Sequence, residues 1–199
     1  MKTPSFQADH DINQPLPPEA PSDDCGVLRS LDRCHTVNLF RLRVELAHIQ
    51  GKTYDLLYSN RAASIDNSER QQRTAEVQAK LSLWYERIPS VFRIDDVVSS
   101  VGPNELVQMT KLFHQYLLTL FMAHGLYSEA AEWVKRIGAV SSVTTSDIAT
   151  TQDRFGSVRS SNNQSPPSPS GWDQLVSVSR GCMKLFHLAT EIECLAWYA

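Results

Sequence analysis

VLRSLDRCHTVNLFRLRVELAHIQGKTYDLLY, residues 27–58, followed by a polar break and a second apolar-striped segment that ends at Pro89, decides the fold. Leu28, Leu31, Leu39, Leu42, Leu46, Ile49, Leu56 and Leu57 recur at spacings that place them on one helical face, with His35 and Thr53 filling the skipped positions. This pattern predicts one long helix from Val27, with Ser22, Asp23 and Asp24 supplying its cap and first-turn negative charge. Gly51 interrupts the stripe and costs about 1 kcal/mol against Ala, as a bend, a close crossing or neither. Ser59 to Ser68 breaks the helix, and Ser68 with Gln71 is the expected capping box of the next. That second helix carries Val77, Leu81, Trp84 and Ile88 on one face with Tyr85 beside them, and Pro89 ends it.

On either side of this pair the sequence is uneven. Residues 1–24 are acidic and rich in proline, which removes backbone donors, so they are expected to run extended over a surface or stay loose. Beyond Pro89 a linker containing Asp95 and Asp96 leads to Pro103, a suitable first residue for a third helix through Leu106, Met109, Phe113, Tyr116, Leu117, Leu120 and His124. Gly125 weakens that helix, and Ser128 is a cap for a continuation through Glu129, Trp133 and Ile137. Residues 138–170 read as a Ser/Thr/Pro-rich flexible linker, in which Ser165 and Ser168 precede prolines and suit proline-directed phosphorylation. A last helix from Asp173 carries Leu175, Val178, Cys182, Leu185, Leu188, Ile192 and Leu195 in register and stays apolar to the end. The expected organisation is an extended lead (1–24), a helical core (25–137), a linker (138–170) and a C-terminal helix of the same domain (171–199), all-α in class.

Composition narrows the functions. The 199 residues have room for one domain, and a net charge of −3 without a basic run gives DNA nothing to hold beyond Arg41 and Arg43. The N-terminus lacks the apolar core of a secretory signal. The most apolar run, Leu112 to Leu126, is shorter than the roughly 20 residues of a spanning helix and contains His114, Gln115 and His124, so no membrane span is expected. Cys25, Cys34, Cys182 and Cys194 show none of the close pairing of a zinc site, which reads as reduced thiols in a nuclear or cytosolic protein. Six histidines include no HExxH pattern; His35 and His48 lie about four turns apart on the predicted helix, and His114 and His124 almost three. No nucleophile elbow, phosphate loop or dinucleotide fingerprint is present. Trp84 and Trp133 read as core rather than as a ligand pocket. The sequence therefore carries no catalytic constellation, and no enzyme is expected.

Three ordered pieces resemble the middle homology, or regulatory, region of fungal-specific zinc-cluster transcription factors. Asp9 to Pro17 is similar to the family's acidic lead into Pro-Leu-Pro, here Pro15, Leu16 and Pro17. Leu46 to Lys52, which contains Gly51, with Tyr54, Leu57, Tyr58 and Ser59 is the second piece, and Leu81, Trp84 and Pro89 match its helix end. Tyr116 and the Ser179 to Leu185 segment around Cys182 fit its downstream helices, whereas His124-Gly125 stands where the family often has His-Arg. The resemblance covers residues 8–135 and 171–190. It implies an all-α regulatory fold and a nuclear regulator of transcription, acting through protein contacts with the transcription machinery or a full-length homologue, or through a small-molecule effector. The family's zinc belongs to an N-terminal six-cysteine cluster that grips DNA and has no counterpart here. Neither zinc nor DNA contact is carried to any residue, and the chain is expected to be a fragment lacking that cluster and upstream helices. A helical interaction protein outside transcription, or a truncated paralogue without function, is the alternative expectation.

Overall fold

The computed structural model describes residues 14–128 and 171–198. Of these, residues up to Ala123 and from Asp173 onward form one compact unit, and 124–128 with 171–172 belong to a second. The class is all-α, as the periodicity predicts. Its first departure from expectation lies at the start of the long stripe. Val27–Arg29 (β1) and Thr36–Asn38 (β2) pair as an antiparallel hairpin, Leu28 opposite Val37. The first helix, α1, begins only at Leu39 and runs to Leu57.

Backbone chemistry explains the correction. Asp24 and Arg33 have φ of 54° and 60° and Gly26 has φ of 73°, none of them compatible with a right-handed helix. A Cβ on Gly26 would also stand 2.6 Å from Phe40 Cβ. Between the strands Ser30 Oγ accepts the His35 amide at 3.0 Å, and Asp32 Oδ1 accepts the Cys34 amide at 3.0 Å. Such local side-chain bonds compete with helix formation, and Val27, Thr36 and Val37 favour extended backbone by their branching. Leu28, Leu31 and His35 therefore leave the predicted stripe, and Leu31 and His35 are exposed. The cap is Asn38, whose Oδ1 accepts the Arg41 amide at 3.0 Å, and not Ser22 to Asp24.

From Leu39 the stripe behaves as read. Leu39, Leu42, Leu46, Ile49, Thr53 and Leu57 are buried, and Thr53 Oγ1 donates back to the Ile49 carbonyl at 2.7 Å, so the polar position in the stripe is satisfied. Gly51 lies half-buried inside α1, which continues unbroken past it. The expected break is a 3-10 turn, Asn60–Ser64, that buries Ala62. The second helix, α2, spans Asn67–Glu86 and is capped by Asp66, which accepts the Glu69 amide at 2.7 Å. Ser68 is already helical, so the cap lies two residues before the predicted one. Val77, Leu81, Trp84 and Ile88 face the core as expected.

The stretch read as a linker before Pro103 is structured. A 3-10 turn, Ser90–Phe92, and a single helical turn, α3 at Val97–Ser100, bury Phe92, Ile94, Val97 and Val101. Arg93 closes the end of α2 by donating to the Ile88 and Glu86 carbonyls, each at 2.9 Å, while its guanidinium lies 5.7 Å from the Tyr85 ring centroid. The helix α4, Pro103–Ser128, starts at the predicted proline and passes through Gly125. The last helix, α5, is Trp172–Tyr198. The continuation to Ile137 and the segment 138–170 lie outside the described residues.

The core centres on aromatic rings from α2 and α4. Tyr116 stacks on Tyr85 at 5.3 Å and tilts against Trp84 at 5.3 Å, and Tyr85 meets Phe113 at 6.3 Å. α5 closes over them: Cys182 Sγ lies 3.4 Å from the Phe113 carbonyl, and Gly181 passes against the Ile94 side chain.

Candidate interaction groove

The motif residues come together as joints. Arg41, on the first turn of α1, donates to the Pro17 carbonyl, and Asn38 Nδ2 donates to the Pro18 carbonyl at 2.9 Å. These two bonds lay the proline lead along the start of α1, with Pro15 and Leu16 exposed and Pro17 half-buried. One turn further on, Glu45 is buried and its Oε1 accepts both Arg41 Nε at 2.8 Å and Arg87 Nη1 at 3.0 Å. Arg87 also reaches Glu19 at 2.9 Å. The lead, α1 and the end of α2 are thus tied at one carboxylate. Trp84 adds a bond from its indole Nε1 to the Leu42 carbonyl at 3.1 Å, Leu81 is fully buried beneath it, and Pro89 turns the chain out of α2. Tyr58 ties the far end of α1 to α4 by donating to the Met122 carbonyl. Gly51 and Tyr58 are not brought to the Glu45 joint.

His35, His48, His114 and His187 stand on separate elements, and among the described residues no three His, Cys, Asp or Glu side chains are arranged to hold a metal. Ser30, Asp32 and His35 are neighbours, but in the wrong order for nucleophile activation. The Ser30 hydroxyl donates to the Asp32 carboxylate, and the His35 imidazole stands 3.9 Å from that carboxylate. The Ser30 hydroxyl, then the Cys34 amide, hold the Asp32 carboxyl below its ordinary range. It is a turn, not a triad. Cys182 is no nucleophile at neutral pH either, because burial pushes its thiol up to about 11. Burial likewise raises the Tyr116 and Tyr85 hydroxyls. Among the described residues no helix is long and apolar enough to cross a membrane.

What the surface does offer is a groove along the outer face of α4, between α1 and α5. Arg43, Val107, Thr110, Lys111, His114 and Phe186 line its main part, about 530 Å³ in volume. A second hollow of about 360 Å³ shares Val107 and Lys111 and reaches Leu28 and Ile192. Its α4 side follows from helix geometry. Val107 and His114 line it, and Leu118 and Phe121, four and seven residues beyond His114, continue the same side of α4. Leu118 and Phe121 are about half exposed, as are Phe186 and Met183 on α5. His114 Nδ1 lies 2.9 Å from the Thr110 carbonyl of its own helix, and its ring meets α5, 5.5 Å from that of Phe186. On the α1 side Arg43 Nη2 donates to Gln108 Oε1 at 2.8 Å, and Gln50 Nε2 donates to Thr119 Oγ1 at 3.0 Å. Large apolar side chains are thus left in contact with water beside the Arg43 and Lys111 cations.

Sequence reasoning placed Phe113 and Tyr116 correctly inside but did not single out Leu118, Phe121 or Phe186. The signal was present, since α4 carries apolar residues on more than one face. A helix with apolar residues around most of its circumference needs partners on most sides.

The proteins to which this chain is similar are fungal transcription factors. Two are ABC-transporter-regulating transcription factors, from Aspergillus oryzae and Aspergillus fumigatus, each 28% identical over 134 residues, 67% of this chain. The matched region is 15% of the length of each relative, so the chain spans a small part of the proteins it matches. No protein-family model and no solved structure matches.

Proposed function

We propose that this chain is the regulatory, middle-homology portion of a fungal transcription regulator of the zinc-cluster kind, working in the nucleus through protein contacts rather than by gripping DNA. The observation that carries the reading is the identity to two fungal transcription factors across two thirds of the chain. The joint at Glu45 supports it, because it ties together the lead, α1 and α2 in the order in which the motifs resemble that region. Zinc and DNA contact belong, in this reading, to a six-cysteine region outside the chain, and a small-molecule effector is a further input. By analogy with the relatives' names, genes for ABC transporters are the proposed targets. The chain performs no reaction of its own.

The test fuses residues 1–199 to a heterologous DNA-binding domain above a reporter gene. The reading expects output to rise or fall against the DNA-binding domain alone. Unchanged output from an intact nuclear fusion would refute it. The exposed groove favours one second reading, a helical interaction protein outside transcription, which predicts partner binding with a silent reporter.

A further inference from the structure

Resting on the reading of the chain as a regulatory module, we infer that the groove on α4 is the docking site for an amphipathic helix bearing carboxylates, presented by a partner protein. The face runs from Asn104 to Phe121, a helical length of about 25 Å, which matches a helix of four to five turns and exceeds what a small ligand fills. Val107 and Phe186 set apolar contacts in the groove, and exposed Leu118 and Phe121 continue the same side of α4 beyond it at intervals of one to two turns. That is the spacing at which a docked helix presents its own anchors.

Arg43 sits in the wall, and its one hydrogen bond goes to the neutral amide of Gln108; no carboxylate of the described residues pairs with it. A guanidinium offers five donors in a planar fork suited to a carboxylate, so a neutral single partner leaves most of that capacity unused beside an apolar surface. Lys111 and His114 lie on the same outer face of α4, and Glu105 is the acidic residue lining its far hollow. The main groove therefore sets the Arg43 and Lys111 cations beside apolar Val107, Phe186 and Ala189, complementary to an acidic amphipathic helix.

The experiment uses the 199-residue chain and two synthetic probes. One is a fluorescein-labelled helical peptide of about 16 residues, enough to span the groove at about 1.5 Å per residue, with Leu and Phe on one stripe and Glu on both flanks. The other replaces every Glu by Lys. Fluorescence anisotropy should show saturable binding of the Glu peptide and at least about tenfold weaker binding of the Lys peptide. Arg43→Glu should weaken the Glu peptide about tenfold or more and improve the Lys peptide. Lys111→Glu, on an exposed position, should act in the same direction and serves where Arg43→Glu alters folding. Phe186→Ser should weaken both. Equal binding of the two peptides, or no binding of either by a folded protein, overturns the inference. So does a concentration-dependent dimer in light scattering that Leu118→Glu and Phe121→Glu dissolve, because a second copy would then be the occupant. Peptide binding with a silent reporter would keep the groove and remove the transcriptional role. Reporter output without peptide binding would do the reverse.

Discussion

Replacing Glu45 by leucine tests whether one carboxylate joins the lead, α1 and α2. The Glu45 side chain is 9% exposed and that of Arg41 is 20% exposed, so their 2.8 Å contact is an interior pair. Removing one partner of such a pair costs about 3–5 kcal/mol, because the other charge stays buried. Two features reduce this figure. Arg41 keeps the Pro17 carbonyl and approaches Glu19 at 3.6 Å. Glu45 Oε2 is buried without a hydrogen-bond partner, and leucine removes that liability. The Arg87 contact adds little, since that side chain is 49% exposed. The expected net loss is about 2–3 kcal/mol, a large share of the roughly 5–15 kcal/mol that holds a domain together. Urea unfolding followed by circular dichroism should show the midpoint falling by about 1 M, with little change in slope. Glu19→Ala, at a side chain 72% exposed, should cost under about 0.5 kcal/mol. The double variant Arg41→Met/Glu45→Leu should recover to within about 1 kcal/mol of the parent, since an apolar pair replaces the ionic one. A Glu45→Leu protein within about 0.5 kcal/mol of the parent would refute the reasoning.

Four further outcomes follow from named contacts, burial and exposure. Asn38→Ala should cost about 1–2 kcal/mol by losing the α1 cap and the bond to Pro18, while Ser22→Ala stays within about 0.5 kcal/mol; denaturant midpoints compare the two. Gly181→Ala should destabilise by about 1–2 kcal/mol despite its better helix propensity, because the new methyl meets the Ile94 side chain; Ile94→Ala should relieve most of that loss in a double-mutant cycle. With the Cys182 thiol raised to about 11, the folded state holds its proton where the unfolded state has released it, so stability should fall as pH rises from about 9 to 11. Cys182→Ala should flatten that slope. At pH 8 iodoacetamide should modify exposed Cys25 and Cys34 in the native protein and spare Cys182, as read by peptide mass.

Much of the architecture was legible because burial imposes a helical period. Leu46, Leu81, Trp84, Tyr116 and Cys182 were placed on their stripes, and all are buried. The misread element shows where period fails. Leu28 and Leu31 fit the helical spacing by coincidence, and the competing information lay in Gly26, Ser30, Asp32 and Asn38, whose turn and cap chemistry outweighs two leucines. The Phe92 to Val101 stretch failed for a different reason. Its apolar residues belong to short turns with no sustained period, and only contact with the rest of the core gives them order. The groove was harder still, because it is defined by what α1 and α5 leave uncovered on α4. A single segment's pattern shows that a face is apolar; tertiary structure shows whether anything covers it.

The most direct measurement is reporter transcription from the chain fused to a heterologous DNA-binding domain, compared with the same fusion carrying Arg43→Glu and Phe186→Ser. Output should differ from that of the DNA-binding domain alone and return toward that baseline in the groove variant, at equal fusion levels. Output equal to the baseline from an intact nuclear parent fusion would contradict the proposed regulatory role.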